Sequence, residues 1–137
     1  MLRNILATLA GLFLGGCVNM ALVILNSTVL YPMAPGTDMN DPAAMNAWVA
    51  TLPAPAFLVV LAAHLGQAFV GAWIVARFAA RRRLALALFI GALTALGSAI
   101  NMVSLSAAPV WMWIDVPLCV AVAYGAWKMQ AGRSVPG

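Results

Sequence analysis

The sequence predicts an all-α integral membrane protein, an up-down-up-down bundle of four transmembrane helices with both termini cytoplasmic. Three observations predict it. Of 137 residues, 65% are hydrophobic and 7% charged, where soluble domains carry about 25%, so most of the surface must face something other than water. Four stretches, 4–25, 54–75, 84–105 and 110–127, reach the roughly 20 apolar residues that a bilayer core requires. All seven basic residues then fall on one side of those spans. Arg3 precedes the first, Arg77, Arg81, Arg82 and Arg83 join the second to the third, and Lys128 and Arg133 follow the fourth. Cytoplasmic loops collect Lys and Arg, which sets the orientation. In lipid, backbone groups must be satisfied within helices or a closed barrel, and these runs are too long and uniformly apolar for barrel strands. Residues 1–137 thus form a single membrane domain.

The first span carries Asn4, Thr8, Gly11, Gly15, Asn19 and Asn26 near one face, at about 100° per residue. Gly11 and Gly15 make a GxxxG pair, which lets a partner backbone approach closely. Leu14-Gly15-Gly16-Cys17 also resembles a lipoprotein cleavage box. The apolar run continues past it to Leu25, so an uncleaved helix is expected, with a lipidated Cys17 as the alternative.

The long outer connection, 26–53, opens with turn formers from Tyr31 to Thr37. Asp41-Pro42 then reads as an N-cap followed by proline at the first helical position. It predicts a short amphipathic helix over 41–52, with Met45, Trp48, Val49 and Leu52 on the face that caps the bundle or lies in the interface.

The second span has His64, Ala68, Ala72 and Ala76 at four-residue spacing. The third aligns Gly91, Thr94, Gly97, Ser98, Asn101 and Ser104. These stripes, with Gly11, Gly15, Ala68 and Ala72 as packing residues, should meet inside the bundle or at an oligomer contact. The fourth span contains Asp115, the one acid within any span, two residues before Pro117. That proline should leave the Trp113 carbonyl without its helical donor. Cys17 and Cys119 read as small hydrophobes, and no disulfide is expected.

The polar residues Asp115, His64, Asn101 and Asn19 form a candidate intramembrane site, one from each pass. With a rise of about 1.5 Å per residue, Asn19, Asn101 and Asp115 lie on the order of 10 Å below the outer edge, and His64 about one turn deeper. Ionisable groups at such depth mark proton or ion pathways, and a His–Asp pair suits either. Two structural readings compete: Asp115 snorkelling between Trp111 and Trp113, and His64 bonding to a neighbouring helix.

HExxH, CxxC and glycine-rich phosphate motifs are absent, so no catalytic residue, cofactor or metal is expected. The net charge of +4 reflects topological anchors, with Arg81, Arg82 and Arg83 suited to anionic lipid headgroups and no nucleic acid implied. The expected partners are the lipid bilayer and a second copy or a larger membrane complex. The leading expectation is a proton- or cation-linked carrier, or an accessory to one, centred on Asp115. The alternative is a structural or assembly subunit without chemistry of its own.

Tyr31-Pro32-Met33, Asp38-Met39-Asn40-Asp41-Pro42 and the run from His64 to Ala72 resemble small four-helix bacterial membrane proteins. The likeness covers most of the chain and implies a multi-pass inner-membrane location, but no activity. Small multidrug-resistance transporters share the size but carry an essential glutamate in the first helix, where this chain has no acid.

Overall fold

The computed structural model describes residues 1–132. Arg133, assigned above to the inner side, lies outside the described residues. Five α-helices account for most of the chain: α1 (Leu2–Leu25), α2 (Pro42–Val49), α3 (Ala54–Phe78), α4 (Arg83–Ser104) and α5 (Asp115–Ala131). No strand occurs among the described residues. Among the described residues four helical segments, Leu2–Leu30, Ala54–Phe78, Arg83–Ser104 and Val110–Ala131, are long and apolar enough to cross a membrane.

α1 does not stop at Leu25 but widens into a π-helical turn, Asn26–Leu30. Ser27 and Thr28 both donate their hydroxyls to the Ile24 carbonyl, at 3.4 and 2.7 Å. Such back-bonding competes with the helical ladder and opens it. α2 begins as its residues dictate, since the Asp41 carboxylate accepts from the Ala43 N–H at 2.9 Å and Pro42 supplies a preset φ. It ends at Val49 rather than 52. Thr51 and Leu52 donate to Trp48 and Val49 in tighter turns, and Pro53 disfavours a helical Leu52.

α3 is the central helix, and its two small-residue faces decide the packing. One face meets α1. A Cβ on Gly11 would stand 2.6 Å from the Gly71 carbonyl oxygen, and one on Gly15 would stand 2.6 Å from that of Gln67. Only glycine admits backbones this close, and lipid offers no competing hydrophobic drive. Asn4 takes the Ala80 and Arg81 N–H groups at one end, and Asn26 reaches the Ala56 carbonyl at the other, so α1 and α3 run in opposite directions. The second face meets α4 and α5. Ala68 packs with Ala95 and Cys119, and Ala72 with Ala87, Ala123 and Ala126.

The bulky side chains point outward. Ile5, Leu9, Phe13 and Met20 on α1 are each more than half exposed, as lipid-facing residues are. At the α3–α4 connection, Arg3 and Arg83 donate to the Phe78 and Ala79 carbonyls at 2.8 and 2.9 Å. Arg82 adopts left-handed backbone (φ 55°) to make that turn. The basic cluster therefore caps one end of the bundle.

α2 lies across the other end. Asn46 fastens it, donating to the Ser104 carbonyl at 3.1 Å and accepting from the Ala107 N–H at 3.1 Å. Met45, Trp48, Val49 and Leu52 turn inward over the bundle mouth.

Candidate functional site: a buried His–Asp pair beneath a cavity covered by α2

The last span is not one α-helix. Val110–Ile114 is a 3₁₀ segment, and the α-helix starts at Asp115. Pro117 therefore falls in the first turn of α5, where a missing N–H costs little. The expected break within a continuous helix is instead a change of helix type. Its consequence is electrostatic: Asp115 sits in the N-terminal turn of α5, where the helix dipole favours negative charge.

Asp115 is fully buried. His64 of α3 donates its Nδ1–H to Oδ2, and the Ser98 hydroxyl of α4 donates to the same oxygen at 2.5 Å. Cys119, one turn along α5, places Sγ 3.3 Å from Oδ1. Three donors on three helices thus converge on one carboxylate, an acceptor-only group when ionised. That convergence offsets a burial which would otherwise cost several kcal/mol. Asp115 does not snorkel. Trp111 and Trp113 remain on the outside, with Trp111 edge-on to Phe57 at 6.4 Å.

The four residues singled out from the sequence have different fates. His64 and Asp115 meet. Asn101 is exposed and borders the cavity that His64 also lines, without reaching the carboxylate. Asn19 belongs to another interface, donating from Nδ2 to Oε1 of Gln67 at 2.5 Å. The packing residues divide too. Gly11 and Gly15 face α3, whereas Ala68 and Ala72 face α4 and α5.

Ser98, Cys119 and Asn26 were not among those four. Ser98 belongs to the α4 polar stripe, one turn from Asn101, but nothing in that stripe marks it as a donor rather than a packing residue. Cys119 lies four residues after Asp115, the spacing at which side chains on one helix meet. Both cysteines are free, Cys17 exposed and Cys119 buried.

Above the pair lies a cavity of about 240 Å³, bounded by the ends of α1, α3 and α4 nearest α2, by the loop and by α2 itself. Its wall is mainly apolar, with Trp48 and Phe57, and its polar members are Asn26, Ser27, His64 and Asn101. Asn26 is 2% exposed; its Nδ2 is used by the Ala56 carbonyl, but among the described residues its buried Oδ1 has no partner. A larger opening of about 880 Å³ between the loop and α2 is wide open and away from the His–Asp pair.

No family model, no curated protein and no solved structure matches this chain.

Proposed function

We propose that the chain is a multi-pass protein of a bacterial inner membrane, with both termini cytoplasmic, acting as a proton- or cation-linked carrier or as an accessory to one. The observation that carries this reading is the His64–Asp115 pair, buried within the span region below an outer cavity. Ionisable groups are expensive at such depth and mark ion pathways by default. The carboxylate supplies a negative charge, and the imidazole stands between it and the cavity. Orientation follows from the basic cluster of Arg3, Arg77, Arg81, Arg82 and Arg83 at the end opposite α2. The same cluster suits anionic headgroups. Exposed apolar faces on α1 and α4, including Phe13, Leu96 and Ile100, favour lipid contact and association with a second copy or a larger complex.

A second reading rests on one observation. Three donors satisfy Asp115 without any ligand, so the cluster also suits a structural or assembly subunit whose polar groups tie α3, α4 and α5 together.

Reconstitution into liposomes separates the two. A carrier dissipates an imposed proton or cation gradient, and Asp115→Asn abolishes that flux while the variant still folds. Equal flux from wild type and variant rejects the carrier. A fixed partner that copurifies and loses stability without this chain favours the assembly role.

A further inference from the structure

We infer that the outer cavity is a binding site for a soft monovalent cation, Cu(I). The inference rests on the carrier reading only in naming its cation, since binding is measured without transport. The first argument is the donor inventory. Met33, Met39, Met45, Met102 and Met112 all line this one cavity, five of the eight methionines in the chain. Thioether sulfur is a soft, uncharged ligand that selects Cu(I) over harder ions. No Asp or Glu lines the cavity, and among the described residues no group of three His, Cys, Asp or Glu is assembled for a metal. Calcium, magnesium and zinc sites need those ligands.

The second argument is the state of His64. A metal-binding histidine almost always gives its other ring N–H to a carboxylate, which sets the tautomer and aims the free nitrogen. His64 commits Nδ1 to Asp115, and among the described residues Nε2 takes no hydrogen bond. The ring lines the cavity, so Nε2 is the nitrogen left for an ion. Ser98 extends the support one residue further.

The third is Asn26. The residue lines the same cavity, and its buried Oδ1 has no hydrogen-bond partner among the described residues, a polar atom that the apolar wall does not satisfy. Charge then decides between valences. One Asp115 carboxylate neutralises a monovalent ion, whereas a divalent ion would leave a net positive charge in low dielectric. The two most buried methionines, Met102 and Met112, also belong to the apolar cluster with Val49 and Phe57. Packing does not account for Met39, which is 62% exposed at the rim of the loop.

The test uses the full chain in mild detergent, with Cys17→Ser as background to remove the exposed thiol. Cu(I) is titrated under reducing conditions against a chromogenic chelator, with Ag(I) as a redox-silent substitute and Zn(II) as control. One Cu(I) binds per chain, Zn(II) does not, and X-ray absorption reports sulfur with nitrogen around copper. Methionine-to-leucine changes conserve volume, so Met45→Leu, Met102→Leu and Met112→Leu together keep the fold while removing donors. Affinity falls at least tenfold. Should the triple variant unfold, the single variants are measured, and each weakens binding. Undiminished affinity in folded leucine variants, or no Cu(I) bound by the parent, overturns the proposal. Cu(I) binding without flux keeps the site and rejects the carrier. Proton flux with no Cu(I) binding keeps the carrier and rejects the soft-ion assignment.

Discussion

Ser98 of α4 hydrogen-bonds to Asp115 of α5 at 2.5 Å, across the hairpin that these two helices form. The oxygen that receives it also receives the His64 Nδ1–H from α3, so one atom joins three helices. Four consequences can be measured.

Asp115→Asn leaves a carboxamide in which only one oxygen accepts. His64 and Ser98 share one oxygen and can keep an amide oxygen placed there, which leaves the NH₂ against the Cys119 Sγ, a weak acceptor. A stability loss of about 1–3 kcal/mol is expected, since hydrogen bonds to a charged acceptor become neutral ones. Asp115→Ala should lose more, about 3–5 kcal/mol, as when one partner of a buried pair is removed. Thermal or denaturant unfolding in detergent measures both. An unchanged or higher melting temperature for Asp115→Asn would show that the acid is retained at the expense of stability.

The glycines should separate into two groups. Gly11→Ala and Gly91→Ala push a Cβ to 2.6 Å from the Gly71 oxygen and the Ala123 Cβ, respectively. Each should cost about 1–3 kcal/mol through overpacking. Gly97→Ala and Gly16→Ala meet nothing within 4 Å, and should be neutral or gain up to about 1 kcal/mol of helix propensity. Unfolding midpoints of the four variants decide it.

Asn19 and Asp115 should be energetically independent. Asn19 pairs with Gln67 and Asp115 pairs with His64, one turn apart on α3, and the two pairs share no partner. A double-mutant cycle on Asn19→Ala and Gln67→Ala should give a coupling of about 0.6 kcal/mol, ordinary for such pairs in membranes. The cycle pairing Asn19→Ala with Asp115→Asn should close to within about 0.5 kcal/mol. A larger coupling would join Asn19 to the site after all.

Cys119 should resist alkylation while the bundle is folded. It is fully buried with its thiol directed at Asp115, whereas Cys17 is exposed on α1. Mass spectrometry after maleimide treatment should find Cys119 unmodified in mild detergent and modified once the chain is denatured. Labelling of the native protein at Cys119 would contradict this packing.

Much of this arrangement was legible from residues alone. The stripe of His64, Ala68, Ala72 and Ala76 placed His64 on the inward face of α3, because four-residue spacing repeats one side of a helix. The depth argument brought His64 and Asp115 to comparable levels. It could not separate Asn19 from them, because depth along a span says nothing about direction around it. Asn19 points at Gln67, on the face of α3 that α1 covers. The Ser98 contact was equally out of reach, since a serine in a small-residue stripe reads the same whether it packs or donates.

The sequence by itself determined four apolar helical segments, the short capped helix after Asp41, the gathering of basic residues at one end and the residues available for burial. These follow from hydropathy, local backbone preference and charge, which act over one helix at a time. Tertiary structure decided which faces meet, that Asp115 is enclosed rather than snorkelling, and that α2 and the loop close a methionine-lined cavity over His64. Those outcomes depend on rotation about each helix axis and on close approach at Gly11, Gly15 and Gly91. The GxxxG pair marks Gly11 and Gly15 as points of close approach, but their partners lie tens of positions away, and no local pattern names them.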